Sequence, residues 1–96
     1  MRTIEQTITE IWTRTMPKDV PVPPEYSLYL WSKKHLDDVT YAIARTAEKV
    51  EKNRKENIPF ADDFPARYTS SIIRCRTEWR QQQSRLEESH VEHRKD

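Results

Sequence analysis

Four arginines, Arg67, Arg74, Arg76 and Arg80, interleave with Tyr68, Ile72, Cys75 and Trp79 in one stretch of this 96-residue chain. Guanidinium groups beside aromatic rings are the combination that single-strand nucleic-acid binders use, the cations meeting phosphates while the rings stack on bases. The same residues have a plainer use. Tyr68, Ile72, Cys75 and Trp79 fall at i, i+4, i+7 and i+11, with Ile73 widening the stripe. A stripe of that kind closes a helical bundle while arginines snorkel over its rim.

Other reactive side chains are sparse. Cys75 is the only cysteine, so an internal disulfide and a zinc site built on paired cysteines are excluded. On an apolar stripe it reads as a small buried thiol rather than a nucleophile. His90, Glu92 and His93 have metal-ligand chemistry, but they lie in a polar tail beside Glu87 and Glu88, and no metal site is expected there. His35 reads as a surface or capping residue. Lys49, Lys52, Arg54 and Lys55 form a basic ridge or an ordinary solvated face, with Glu48 and Lys52, and Glu51 and Lys55, spaced as i, i+4 pairs. The chain has no glycine, so phosphate-cradling loops and nucleophile elbows are absent. With no convergent acid, base and nucleophile set, neither an enzyme nor a cofactor is expected.

Composition sets the frame. Charged and hydrophobic residues each make up 34 %, which fits a thin helical core with polar extensions, since a chain this short buries only about 60–65 % of its unfolded surface. A net charge of +1 gives no general attraction to polyanions, so any nucleic-acid contact rests on local clustering. No apolar run is long enough for a membrane span and no apolar leader segment is evident, so a cytoplasmic protein is expected.

Positioning these residues requires helices. Ile4, Ile8, Ile11 and Trp12 line one face of a first helix within residues 1–16, and Thr3 with Gln6 has capping-box spacing. Residues 17–24 hold four prolines and predict an extended, stiff connector. Pro24 suits the first turn of a short second helix, expected to be central and largely buried through Tyr26, Leu28, Tyr29, Leu30 and Trp31. Asp37 or Asp38 then caps a third helix carrying Leu36, Val39, Ala42, Ile43, Ala47 and Val50. Pro59 and Pro65 break it, Phe60 and Phe64 tuck the loop onto the core, and Asp62 or Asp63 opens the fourth helix. The expectation is one all-α domain, a bundle of about four helices over residues 1–80, with 81–96 a polar extension that has too little apolar surface to hold it down.

The order of "PVPPEYSLYLW", "LDDVTYAIARTAEKV" and "YTSSIIRCRTEW" resembles the C-terminal helical domain of DnaD-like primosome proteins and related phage replisome organisers and helicase loaders. The matching positions are Pro24, Trp31, Asp38, Ala42, Ile43, Ala47, Tyr68, Ile72, Ile73 and Trp79, within residues 21–80. The connection "KNRKENIPFADDFPAR" is longer than the family's, and Trp79 falls about one turn later. The resemblance implies a replication accessory protein that binds DNA, often single-stranded, and recruits or loads a replicative helicase, with Tyr68, Ile72 and Trp79 at the DNA. Charge placement adds Arg74, Arg76, Arg80, Lys49 and Lys52. A second reading is a protein-binding adaptor or inhibitor that touches no nucleic acid and uses Tyr26, Tyr29 and Trp31. A Trp-bearing first helix over a thin core also invites a homodimer.

Overall fold

The computed structural model describes residues 3–32 and 36–94, apart from the side chains of Ser32 and of 87–94. These residues form four helices and no strand: α1 Ile4–Thr15, α2 Glu25–Ser32, α3 Leu36–Lys55 and α4 Phe64–Arg94. The all-α expectation holds. Thr3 caps α1 as its spacing predicts, its hydroxyl accepting from the Gln6 amide at 3.2 Å while its own amide donates to Gln6 Oε1 at 3.0 Å. That reciprocal pair satisfies two backbone donors which the first turn of a helix leaves free.

The core joins Ile8, Ile11 and Trp12 of α1, Leu28 and Trp31 of α2, and Val39, Ile43 and Val50 of α3, with Met16 and Val20 of the connector. Burying each large aliphatic side chain stabilises the fold by about 1.5–3 kcal/mol. The tryptophans at the centre, Trp12 and Trp31, have ring centroids 5.9 Å apart and tilted planes. The connector is more than a spacer. It turns at residues 18–19, buries Met16, Val20 and Pro23, and is tied to α3 by Arg54 Nη2, which donates to Asp19 Oδ2 at 2.6 Å. Pro24 precedes α2 rather than opening its first turn, its carbonyl accepting from the Leu28 amide.

In a chain without glycine, α3 ends on Asn57 at φ 56°, the left-handed position. The Ile58 amide donates to the Asn53 carbonyl and the Asn57 amide to that of Arg54, the Schellman pattern that satisfies the last carbonyls of a helix. Asparagine takes the place that glycine usually fills, because its short side chain tolerates this conformation. Phe60 and Phe64 pack on the core as expected, 5.5 Å apart.

α3 and α4 run antiparallel: Asn53 lies by Phe64, Thr46 meets Thr69, and Asp38 meets Arg76 and Arg80. Two expectations change here. The second helix is only half buried: Leu28 and Trp31 face the core, while Tyr26, Tyr29 and Leu30 face outward. The stripe of Tyr68, Ile72, Cys75 and Trp79 is not the seam of the bundle. Pro65 and Thr69 are buried, Ile73 packs against the core, and Tyr68 and Ile72 are only half-buried. The packed face is thus offset by one residue, about 100° of helix rotation. The cause is polar. Thr69 and Thr46 share a buried hydrogen bond of 2.6 Å, and Arg76 and Arg80 reach a buried acid, so the helix turns these groups inward.

Candidate nucleic-acid interface

Between Phe64 and Leu86, α4 carries Arg67, Arg74, Arg76, Arg80 and Arg85 against a single acid, Glu78. The even balance of the whole chain hides this local excess of positive charge. What organises part of it is Asp38, the third residue of α3 rather than its cap, with 0 % exposure. Asp38 Oδ1 accepts from Arg76 Nε at 2.8 Å and from Arg80 Nη2 at 2.9 Å. A carboxylate held away from water needs such partners, because an uncompensated buried charge costs several kcal/mol.

The arginines are only partly covered, their side chains 39 % and 46 % exposed. The Arg76 guanidinium also lies over the Tyr41 ring, 4.2 Å from its centroid, a stacking that further fixes its plane. Two guanidinium groups thus share one carboxylate, leaving one positive charge beyond what Asp38 offsets. Next to them Trp79 is 61 % exposed. Cys75, Arg76, Trp79 and Arg80 line one open groove of about 650 Å³. An anion held by the guanidinium donors and a flat ring laid on the indole are the ligands this arrangement accommodates.

Of the residues singled out in the sequence, the structure brings together Arg76, Trp79 and Arg80 and separates the others. Tyr68 stacks on Phe64 at 5.4 Å, towards the far end of the α3–α4 hairpin. Lys49 borders the cleft beside Phe64 and Arg67, eleven residues and so about 16 Å of helix rise from Asp38. Lys52 and Arg74 are exposed, and Arg74 points to another side of α4. Arg54 leaves the basic ridge for Asp19, and that guanidinium holds the Asp19 carboxyl below its usual range. Glu48 pairs with Arg45 at 3.4 Å instead of Lys52, whereas Glu51 and Lys55 do pair, at 3.5 Å.

Cys75 is exposed, not a buried thiol. Trp31 is buried instead of exposed for a partner, its Nε1 donating to Ser70 Oγ at 2.7 Å. Tyr26 and Tyr29 are exposed. His35 and the side chains of His90 and His93 lie outside the described residues, among which no group of His, Cys, Asp and Glu is arranged to hold a metal ion. No helix among them is long and apolar enough to cross a membrane. Sequence reasoning missed Asp38 as the organising anion and Tyr41 as the stacking ring, because Arg76 and Arg80 lie 38 and 42 residues from Asp38. Compared with known protein families, with curated proteins and with solved structures, the chain matches none.

Proposed function

We propose that the protein is a DNA-replication accessory factor, of a phage, plasmid or mobile-element kind, that binds single-stranded DNA through the outer face of α4 and helps recruit or load a replicative helicase. One observation carries the DNA reading: an exposed indole, Trp79, shares a groove with two arginines that retain a net positive charge after pairing with Asp38. The helicase role is supported by the resemblance of residues 21–80 to DnaD-like domains, and by that alone.

In this reading Asp38 and Tyr41 hold Arg76 and Arg80 in place before the strand arrives, so little side-chain freedom is lost on binding. A phosphate then takes the outward guanidinium donors, and an unpaired base stacks on Trp79, a contact worth about 1–3 kcal/mol. The groove has room for one or two nucleotides' worth of contact, so affinity is modest.

The test is a titration with an oligothymidylate of roughly 20 nucleotides at low salt, followed by tryptophan fluorescence. Trp12 and Trp31 are buried, so quenching reports on Trp79. Trp79→Ala, an exposed position that leaves the core alone, is expected to weaken binding at least about tenfold when measured by anisotropy of labelled DNA. With one or two phosphates neutralised, log K falls with log salt at a slope of about −0.7 to −1.4. No binding at low salt, or equal binding by Trp79→Ala, overturns the DNA reading.

A further inference from the structure

α2 is apolar on both sides. Leu28 and Trp31 enter the core, yet the opposite face shows Tyr26 at 73 % exposure, Leu30 at 77 % and Tyr29 at 46 %. Tyr26, Tyr29 and Leu30 are spaced i, i+3, i+4, one continuous patch. A surface helix ordinarily turns charged and polar residues to water, and an apolar outer face marks a surface that another molecule covers.

The chemistry of that molecule is written in the rim. α1 and α2 lie with their N-terminal ends on the same side, and between them runs an open cleft of about 640 Å³ bordered by Glu5, Gln6, Glu25, Tyr26 and Tyr29. Glu5 and Glu25 sit in the first turns of their helices. Neither has a cationic partner among the described residues, a state shared with Asp37, Glu56, Asp62 and Glu78, but Glu5 and Glu25 alone border one cleft beside exposed tyrosines. Carboxylates placed beside exposed tyrosine rings form a seat for an ammonium or guanidinium, which meets the carboxylate by charge and the ring face by cation–π attraction. An aromatic and aliphatic centre with a charged rim is also the anatomy of a protein interface.

We infer that the α1–α2 cleft with Tyr26, Tyr29 and Leu30 docks a basic amphipathic segment of another protein, its Lys or Arg side chains between Glu5 and Glu25 and its apolar residues on Tyr26 and Leu30. The surface is separate from Trp79, Arg76 and Arg80 in both residues and charge, so it does not depend on DNA binding. A basic segment is repelled by the arginines of α4 and drawn to this end of the molecule.

The experiment uses the full chain, labelled with nitrogen-15, titrated with the acetylated and amidated octapeptide LRKLLRKL and, separately, with its charge-inverted form LEELLEEL. The basic peptide is expected to shift the amides of Glu5, Gln6, Glu25, Tyr26 and Tyr29, and the acidic one to leave them in place. The double change Glu5→Gln with Glu25→Gln, at one half-buried and one exposed position, is expected to weaken binding about tenfold. Tyr26→Ala with Leu30→Ala, at exposed positions, is expected to weaken it by more, with circular dichroism checking that each fold is intact. Four outcomes overturn the inference: no shifts at about 1 mM peptide, equal binding of the acidic peptide, shifts centred elsewhere, such as on Glu48 and Glu51, or unchanged affinity in the glutamine variant.

Discussion

Arg76 donates its Nε to the fully buried carboxylate of Asp38 across 2.8 Å while its own side chain keeps 39 % of its surface. The two ends of one ion pair thus live in different media. Breaking such a pair from the charged, buried side is costly, whereas breaking it from the wetter side is cheap as long as another cation remains. Arg80 is that other cation, at 2.9 Å from the same oxygen.

The expected consequence is a cooperative pair. Arg76→Ala or Arg80→Ala alone is expected to cost about 1 kcal/mol, since the second guanidinium still faces Asp38. The double variant, which leaves Asp38 without either, is expected to lose about 3 kcal/mol or more, beyond the total of the singles. Urea denaturation followed by circular dichroism measures this, and strictly additive losses refute the shared carboxylate as an energetic unit.

Trp31 and Ser70 join α2 to α4 through a hydrogen bond of 2.7 Å. Ser70→Ala strands a buried indole N–H and is expected to lower stability by about 1 kcal/mol. Trp31→Ala removes packing against Trp12 as well and is expected to lose about 3–5 kcal/mol, enough to unfold much of the population. Thermal melts of the two variants check both. A Trp31→Ala protein as stable as Ser70→Ala contradicts the central place given to Trp31.

How much of this was legible beforehand differs between residues. The Thr3 and Gln6 capping box and most of the buried faces of α1 and α3 follow from local spacing, because their causes lie within one turn of the chain. Ile4 and Leu36 at the helix starts are exposed, however, and Pro65 opens the first turn of α4 instead of breaking a helix. The face of α4 does not. Its first two turns and beyond offer an apolar row through Tyr68, Ile72, Cys75 and Trp79 and a mixed row through Pro65, Thr69, Ile73, Arg76 and Arg80. Hydropathy favours the first. The second is chosen by Thr46 and Asp38 on a helix more than twenty residues away, and no periodicity within α4 reports that. Trp31 and Trp79 each carry two readings in the sequence: Trp31, placed both in a buried helix and at a partner surface, is buried, while Trp79, placed both in the bundle seam and at the DNA, is exposed.

Asn57 carries the backbone strain of the α3 C-terminus at φ 56°. Asn57→Gly is expected to raise stability by about 0.5–1 kcal/mol, and Asn57→Val to lower it by more than about 1 kcal/mol, since a β-branched side chain meets the backbone there. Chemical denaturation midpoints decide. Equal midpoints for Gly and Val mean that the left-handed turn does not limit stability.

Asp19 supplies a pH dependence. The hydrogen bond from Arg54 lowers its folded-state pKa beneath the ordinary value of 3.8, so the folded chain keeps this carboxylate ionised at a pH where the unfolded chain takes up a proton. The tie therefore contributes fully above the ordinary value and is lost as pH falls through the lowered one. Asp19 is largely exposed, so the effect is small and screened by salt. Melting temperatures of the wild type and Asp19→Asn are expected to differ at pH 6 and to converge near pH 2. A difference that persists in strong acid assigns the stabilisation to something other than ionisation.

Among the described side chains of α4, only Pro65 and Thr69 are fully buried, and none of the helix's large apolar groups reaches the innermost cluster. α1, α2 and α3 therefore supply the innermost cluster, and the longest helix is fastened to α3 by hydroxyls, ions and partly covered apolar groups, Phe64, Ala66 and Ile73 among them. Amide hydrogen exchange is expected to rank the pieces accordingly, with α4 opening in a partial unfolding step before Ile43 and Trp12 lose protection. The helix that carries the groove is then the one that can detach and return without dissolving the rest.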